Sequence, residues 1–97
     1  MEARKVVLTP KAEDDLREIF LYLSDFSLYA ADAQAGRILH HADLLETFPR
    51  LGRVIPEYAN DRLRELVVGD YLMAYYIVSE KQIDILAIHH ASKPRRM

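Results

Sequence analysis

The stretch Gly69-Asp70-Tyr71-Leu72-Met73-Ala74-Tyr75-Tyr76-Ile77-Val78 decides the fold. Gly69-Asp70 is a two-residue turn of the kind that closes a tight hairpin. The eight residues after it carry no charge. Such a run reads as a central strand, covered at least in part on both faces. Before the turn, residues 62–68 alternate loosely and form the hairpin's other arm. After it, Ser79-Glu80-Lys81-Gln82 is a turn, and residues 83–90 read as a further strand. Period-2 alternation there puts Ile83, Ile85, Ala87 and His89 on one face, with Asp84, Leu86, Ile88 and His90 on the other.

Upstream the period changes. Lys5-Val6-Val7-Leu8-Thr9 reads as a short strand. Thr9-Pro10 ends it and opens a helix, because a Thr hydroxyl accepts from the first free amides and Pro suits the first turn. Asp14 and Asp15 sit early, where the helix dipole favours negative charge. Ala12, Leu16, Ile19, Leu23 and Phe26 recur at helical spacing, with Phe20 widening the stripe. The helix is expected to fray near residues 24–27. A second helix carries Ala31, Ala35, Ile38, Leu39, Ala42, Leu45 and Phe48, and Pro49 is expected to stop it. So short a joint makes the two helices an antiparallel hairpin. Residues 50–61 show no period and read as a loop. The expected fold is α+β, in the order β-α-α-β-β-β: a helical hairpin packed on a small, mainly antiparallel sheet.

Composition bounds the function. Ninety-seven residues, 51 % apolar and 29 % charged, make one globular domain, residues 1–97. Zero cysteines exclude a disulfide framework, a thiolate zinc site and a Cys nucleophile. No apolar run is long enough to span a bilayer, and no signal peptide is visible, so a cytoplasmic address and no membrane partner are expected. The net charge of −2 speaks against a general nucleic-acid coat. Charge is uneven, however. Residues 10–27 hold five acids against two bases, and the end of the chain holds Lys93, Arg95 and Arg96.

No metal site or cofactor is expected. His40-His41 are helix neighbours about 100° apart and cannot chelate from one face. His89-His90 end a strand with rings on opposite faces, which makes His90 a candidate acid–base group. No Gly-rich phosphate loop and no G-x-S-x-G elbow is present. Tyr71 and Tyr75 share a face and read as sheet packing. Arg50, Arg53, Arg62, Arg64, Lys93, Arg95 and Arg96 are the basic groups suited to phosphates or an acidic partner.

The order of several pieces resembles the RelE/ParE toxin superfamily of bacterial type II toxin–antitoxin systems. These are Leu-Thr-Pro-x-Ala-x-x-Asp-Leu-x-x-Ile (residues 8–19), Phe-Pro-x-x-Gly-Arg-x-x-Pro-Glu (48–57), Leu-Arg-Glu-Leu-Val-Val-Gly-Asp-Tyr (63–71), Tyr-Tyr-Ile-Val (75–78) and Ile-Leu-Ala-Ile-His-His (85–90). The resemblance implies a growth-inhibiting toxin with a cognate antitoxin encoded beside it, and operator DNA reached only through that antitoxin. It implies one of two targets. RelE-like members cleave messenger RNA at the ribosome without metal; ParE-like members inhibit DNA gyrase.

The chain's own residues choose between them. RelE-like nucleases place an Arg directly after the Tyr that opens the central strand, and here Tyr71 is followed by Leu72. Their later Arg falls near Lys93, and their Lys pair is not reproduced where Leu63 and Glu65 alternate with Arg62 and Arg64. The pattern looks more like ParE, a gyrase inhibitor and not an enzyme. A ribosome-dependent, metal-independent endoribonuclease would rest on Arg64, His90 and Lys93. A third reading is a non-toxic protein of this fold that serves as antitoxin ligand and co-repressor. For the antitoxin, the expected surface is the strand face of Leu72, Ala74, Tyr76 and Val78, with Arg62 and Arg64 meeting its acids. Lys93, Arg95 and Arg96 are the expected target contacts.

Overall fold

The computed structural model describes residues 4–93. Strand β1 (Lys5–Leu8) leads through Thr9 into α1 (Pro10–Ser24), and α2 (Leu28–Leu44) returns beside it. Four strands follow: β2 (Arg53–Val54), β3 (Leu63–Val68), β4 (Tyr71–Ile77) and β5 (Gln82–His90). The sheet order is β1-β5-β4-β3-β2. All pairs are antiparallel except β1 with β5, so the sheet is mixed, with one helical hairpin against one face.

Local chemistry sets the boundaries. The Thr9 hydroxyl oxygen accepts the N–H of Ala12 at 3.3 Å and itself donates to the Ile85 carbonyl at 2.8 Å. One side chain therefore caps α1 and ties it to β5. Ser27 caps α2 by accepting from Ala30 at 3.1 Å. Gly69 takes φ +60°, which a turn of this length requires and side-chain-bearing residues resist.

Two boundaries differ from expectation. Helix α2 ends at Leu44, because the Leu45 N–H turns inward to Ala42 and the Phe48 N–H closes on Leu44. Phe48 is left exposed, short of Pro49. The expected loop 50–61 contains β2, which pairs Arg53 with Glu65 and Val54 with Arg64.

The core lies between hairpin and sheet. Ala12 of α1 and Ile38, Ala42 and Leu45 of the second helical segment meet Met73, Tyr75 and Ile77 of β4 and Ile83, Ile85 and Ile88 of β5. Phe26, expected on the buried stripe, is 75 % exposed, because α1 has ended before it.

The strand β5 does not keep strict alternation. Ala87 pairs with Ala74, but Ile85 pairs with Tyr75, so Leu86 is left over as a bulge. Beyond it every side chain changes face. Ile88 and His90 share the helix side with Ile83 and Ile85, and His89 shares the outer side with Leu72. The face assignment expected from the sequence is thus reversed past the bulge.

Candidate functional site

The sheet face away from the helices is the first candidate surface. Leu72, Ala74 and Tyr76 alternate with core-facing Met73 and Tyr75 and so point outward. Leu72 and Tyr76 are partly exposed, Val78 is exposed, and Val67 of β3 stands opposite Leu72 with 59 % exposure. Ala74 is buried, a short side chain sunk between Glu65 and Ala87 in register.

The central strand is uncharged here, but its neighbours put an ion pair in the middle of this face. Glu65 is 1 % exposed, and the Arg53 guanidinium reaches it at 2.6 and 2.8 Å. Burial of a carboxylate is costly unless it is paired, and Arg53 supplies that pairing from the neighbouring strand. Sequence reasoning missed the pair because β2 is two residues long and carries no periodicity.

Arg62 and Arg64 do not belong to this face. Arg64 pairs with Tyr75 in register and so stands on the opposite side. Its guanidinium donates to the Asp61 carboxylate, the Asp61 carbonyl and the Gly52 carbonyl, each at 2.8 Å. Asp61 also receives Arg50, and these two hydrogen bonds hold its carboxyl below the usual carboxylate range. Arg62 donates to the Val78 carbonyl at 3.3 Å. Arg64 thus pins the 49–61 loop to β3 instead of offering a free cation.

A second set of residues in the same region explains one of the sequence pieces. The Tyr75 hydroxyl donates to the Pro49 carbonyl at 2.7 Å and accepts the Gly52 N–H at 2.9 Å. Burial raises its pKa above the ordinary phenol value, so it stays protonated and can donate. A Cβ on Gly52 would stand 2.5 Å from the Glu65 carbonyl oxygen and 2.8 Å from the Tyr75 ring. Phe-Pro-x-x-Gly-Arg is therefore a loop built around one buried phenol.

The second candidate surface is a groove of about 550 Å³ between α1 and the end of β5. Asp15, Glu18 and Tyr22 line its helix wall, and Tyr71, His90 and Lys93 its sheet side. The Tyr71 ring meets His90 edge-on, with centroids 5.5 Å apart. Burial, with Asp70 and Tyr22 nearby, raises the Tyr71 pKa. Asp15 was read as a dipole partner of α1. It does more: its carboxylate accepts the Ile88 N–H at 2.9 Å and so holds β5 just past the bulge.

His90 Nδ1 accepts the backbone N–H of Ser92 at 3.1 Å and meets the Ser92 hydroxyl at 2.7 Å. A backbone amide only donates, so the neutral ring carries its proton on Nε2. The ring's one lone pair, on Nδ1, is thus engaged by Ser92 within its own turn. Arg64, moreover, is far from His90. Their register partners on β4, Tyr75 and Tyr71, are four residues apart, or roughly 13 Å along the strand, and the two sit on strands flanking β4. Arg64, His90 and Lys93 do not converge on one phosphate. Lys93 closes the groove; Arg95 and Arg96 lie outside the described residues. Among the described residues, no group of three or more His, Asp or Glu side chains is placed to hold a metal ion.

Helical hairpin, mixed sheet and element order together define a two-layer α+β domain in which one sheet face is left uncovered by helices. The fold is similar to a chain of the chromosomal ParDE TA system from P. aeruginosa, with a TM-score of 0.73 and 21 % identity over 91 % of this chain and 96 % of that one. A relative from Caulobacter vibrioides, Toxin RelE2, is 37 % identical over 89 residues, covering 92 % of this chain and 97 % of the relative. The model of the ParE toxin of the type II toxin-antitoxin system, parDE, matches residues 6–94, and the chain belongs to that family.

Proposed function

We propose that this toxin acts in the cytoplasm by binding a protein target, DNA gyrase, and does not cut messenger RNA. The observation that carries the reading is the dispersal of its basic groups. A metal-free ribonuclease needs cations on the scissile phosphate and an acid–base pair in one cleft. Here Arg64 is spent on Asp61 and Gly52, and His90 faces a groove walled by Asp15 and Glu18. Carboxylates there repel a phosphodiester. On the outer face, Leu72 stands where a nuclease wants a cation, with Val67 opposite it. The test is direct. Purified toxin is added to a gyrase supercoiling reaction and, separately, to ribosomes translating a reporter transcript. Supercoiling is expected to stop while the transcript stays intact. Ribosome-dependent cleavage that disappears in His90→Ala would overturn the reading.

The cognate antitoxin that the family implies has a surface suited to it. The helices cover one side of the sheet only, which leaves Leu72, Tyr76, Val78 and Val67 for a partner. An antitoxin segment laid over them meets the Arg53–Glu65 pair on this face, in place of Arg62 and Arg64.

A further inference from the structure

We infer that the outward face of α2 is a contact for a second copy of this chain, with the two α2 helices side by side and parallel about a twofold axis. The surface is separate from the outer sheet face, and the inference does not depend on the gyrase reading.

Helical spacing sets the face. Tyr29, Ala33, Gly36 and His40 follow one another at intervals of four, three and four residues, the a/d repeat of a two-helix seam. All four are exposed, Tyr29 to 84 %. The residues that α2 buries, Ala31, Ile38 and Ala42, lie on the other side of the helix. Helix α2 therefore carries two stripes at helical spacing, and the fold of one chain uses only one of them.

Gly36 is what a single chain leaves unexplained. It stands inside a 17-residue helix, where only proline is a poorer choice. Its φ is not positive, and a Cβ there would meet nothing within 4 Å. Neither the backbone nor the packing of one chain calls for glycine. A second helix laid against it does, because a bare Cα lets another backbone approach closely.

Charge fixes the orientation. Asp32 precedes Ala33 and Arg37 follows Gly36, so the two take the g and e positions that flank the seam. Neither has an ion-pair partner among the described residues; the Arg37 guanidinium lies over Gly69 with no carboxylate on it. In a parallel pair each Asp32 faces the Arg37 five positions on in the other copy, which gives two cross-pairs. An antiparallel pair would set Asp32 against Asp32 and Arg37 against Arg37. The face is complementary to itself in one orientation, as a twofold contact requires. The seam spans only three turns, well short of the roughly 1,600 Å² of a standard interface, so the dimer is weak and forms at about 10–100 µM.

Sedimentation equilibrium of the purified full-length toxin, between about 5 and 200 µM, tests this. The wild type is expected to pass from monomer to dimer across that range, and a monomer throughout overturns the inference. Gly36→Gln fills open space in the single chain and favours helix over glycine. It should raise the melting temperature while weakening association about tenfold. Asp32→Arg and Arg37→Asp should each weaken association about tenfold, and the two together should restore it to within about threefold of wild type. A double variant as weak as the singles overturns the parallel pairing. A dimer that survives Gly36→Gln but dissociates in Tyr76→Glu sits on the outer sheet face, and that outcome also overturns the inference.

Discussion

Replacing Tyr75 with phenylalanine removes one oxygen atom and strands two backbone groups. The Gly52 N–H is buried and has no solvent to turn to, so it bears the full cost of an unmade hydrogen bond. The Pro49 carbonyl is partly exposed and bears less. At roughly 1–3 kcal/mol for a buried unsatisfied group, the two together cost about 2–4 kcal/mol. For a domain of this size each kcal/mol moves the melting temperature by about 4–8 °C, so a drop of roughly 8–32 °C is expected. Urea unfolding followed by circular dichroism measures the difference directly. The native phenol also has a signature in pH. Its pKa is raised in the folded state, so it stabilises the fold fully below about pH 10, the unfolded value, and that contribution is lost as pH rises through the folded one. Stability should fall above about pH 10, and less steeply in Tyr75→Phe. A Tyr75→Phe protein within about 0.5 kcal/mol of wild type would refute the claim that this phenol organises the loop.

Other outcomes follow from the same geometry. Gly52→Ala forces a methyl group against the Glu65 carbonyl and the Tyr75 ring and should cost about 1–3 kcal/mol, measured by the same unfolding curves. Tyr76→Glu puts a charge on the outer face without touching the core; the chain should stay folded while antitoxin binding is abolished in a pull-down or by calorimetry. Unchanged affinity would move the partner to the helices. Truncation after Ser92 removes Lys93, Arg95 and Arg96 together with one turn bond from the Lys93 N–H to His90. It should leave the melting temperature nearly unchanged, since exposed charges contribute about 0–1 kcal/mol each, while growth inhibition falls. If inhibition survives, the tail is only a solvated end.

Most of the architecture was legible because its signals are local. Thr9-Pro10 capped a helix, Gly69-Asp70 closed a hairpin, and the uncharged run from Tyr71 became the central strand. What was illegible depended on register. A bulge at Leu86 adds one residue with no mark in composition, yet it exchanges the faces of His89 and His90. Two-residue β2 has no period to detect, so the Arg53–Glu65 pair was hidden with it. Arg62 and Arg64 were correctly placed on one strand face but assigned the wrong one, because nothing in their own spacing says which side the helices occupy. The carboxylate of Asp15 sits 73 positions before the amide it holds, a contact only the folded chain reveals.

The pairing of β1 with β5 has a consequence in time. The Thr9 hydroxyl and the Ile85 carbonyl that it meets are 76 positions apart, so the first strand made waits for the last. At about 5–20 residues per second of synthesis, that wait is roughly 4–15 s. Until it ends, α1 has no sheet to lie on and Val6 and Leu8 have no neighbour, because their partners Ile83 and Ile85 have not been translated. Contacts between distant positions also slow the closure that follows. A chain wired in this way cannot complete its sheet, or seat α1 on it, before β5 has been made.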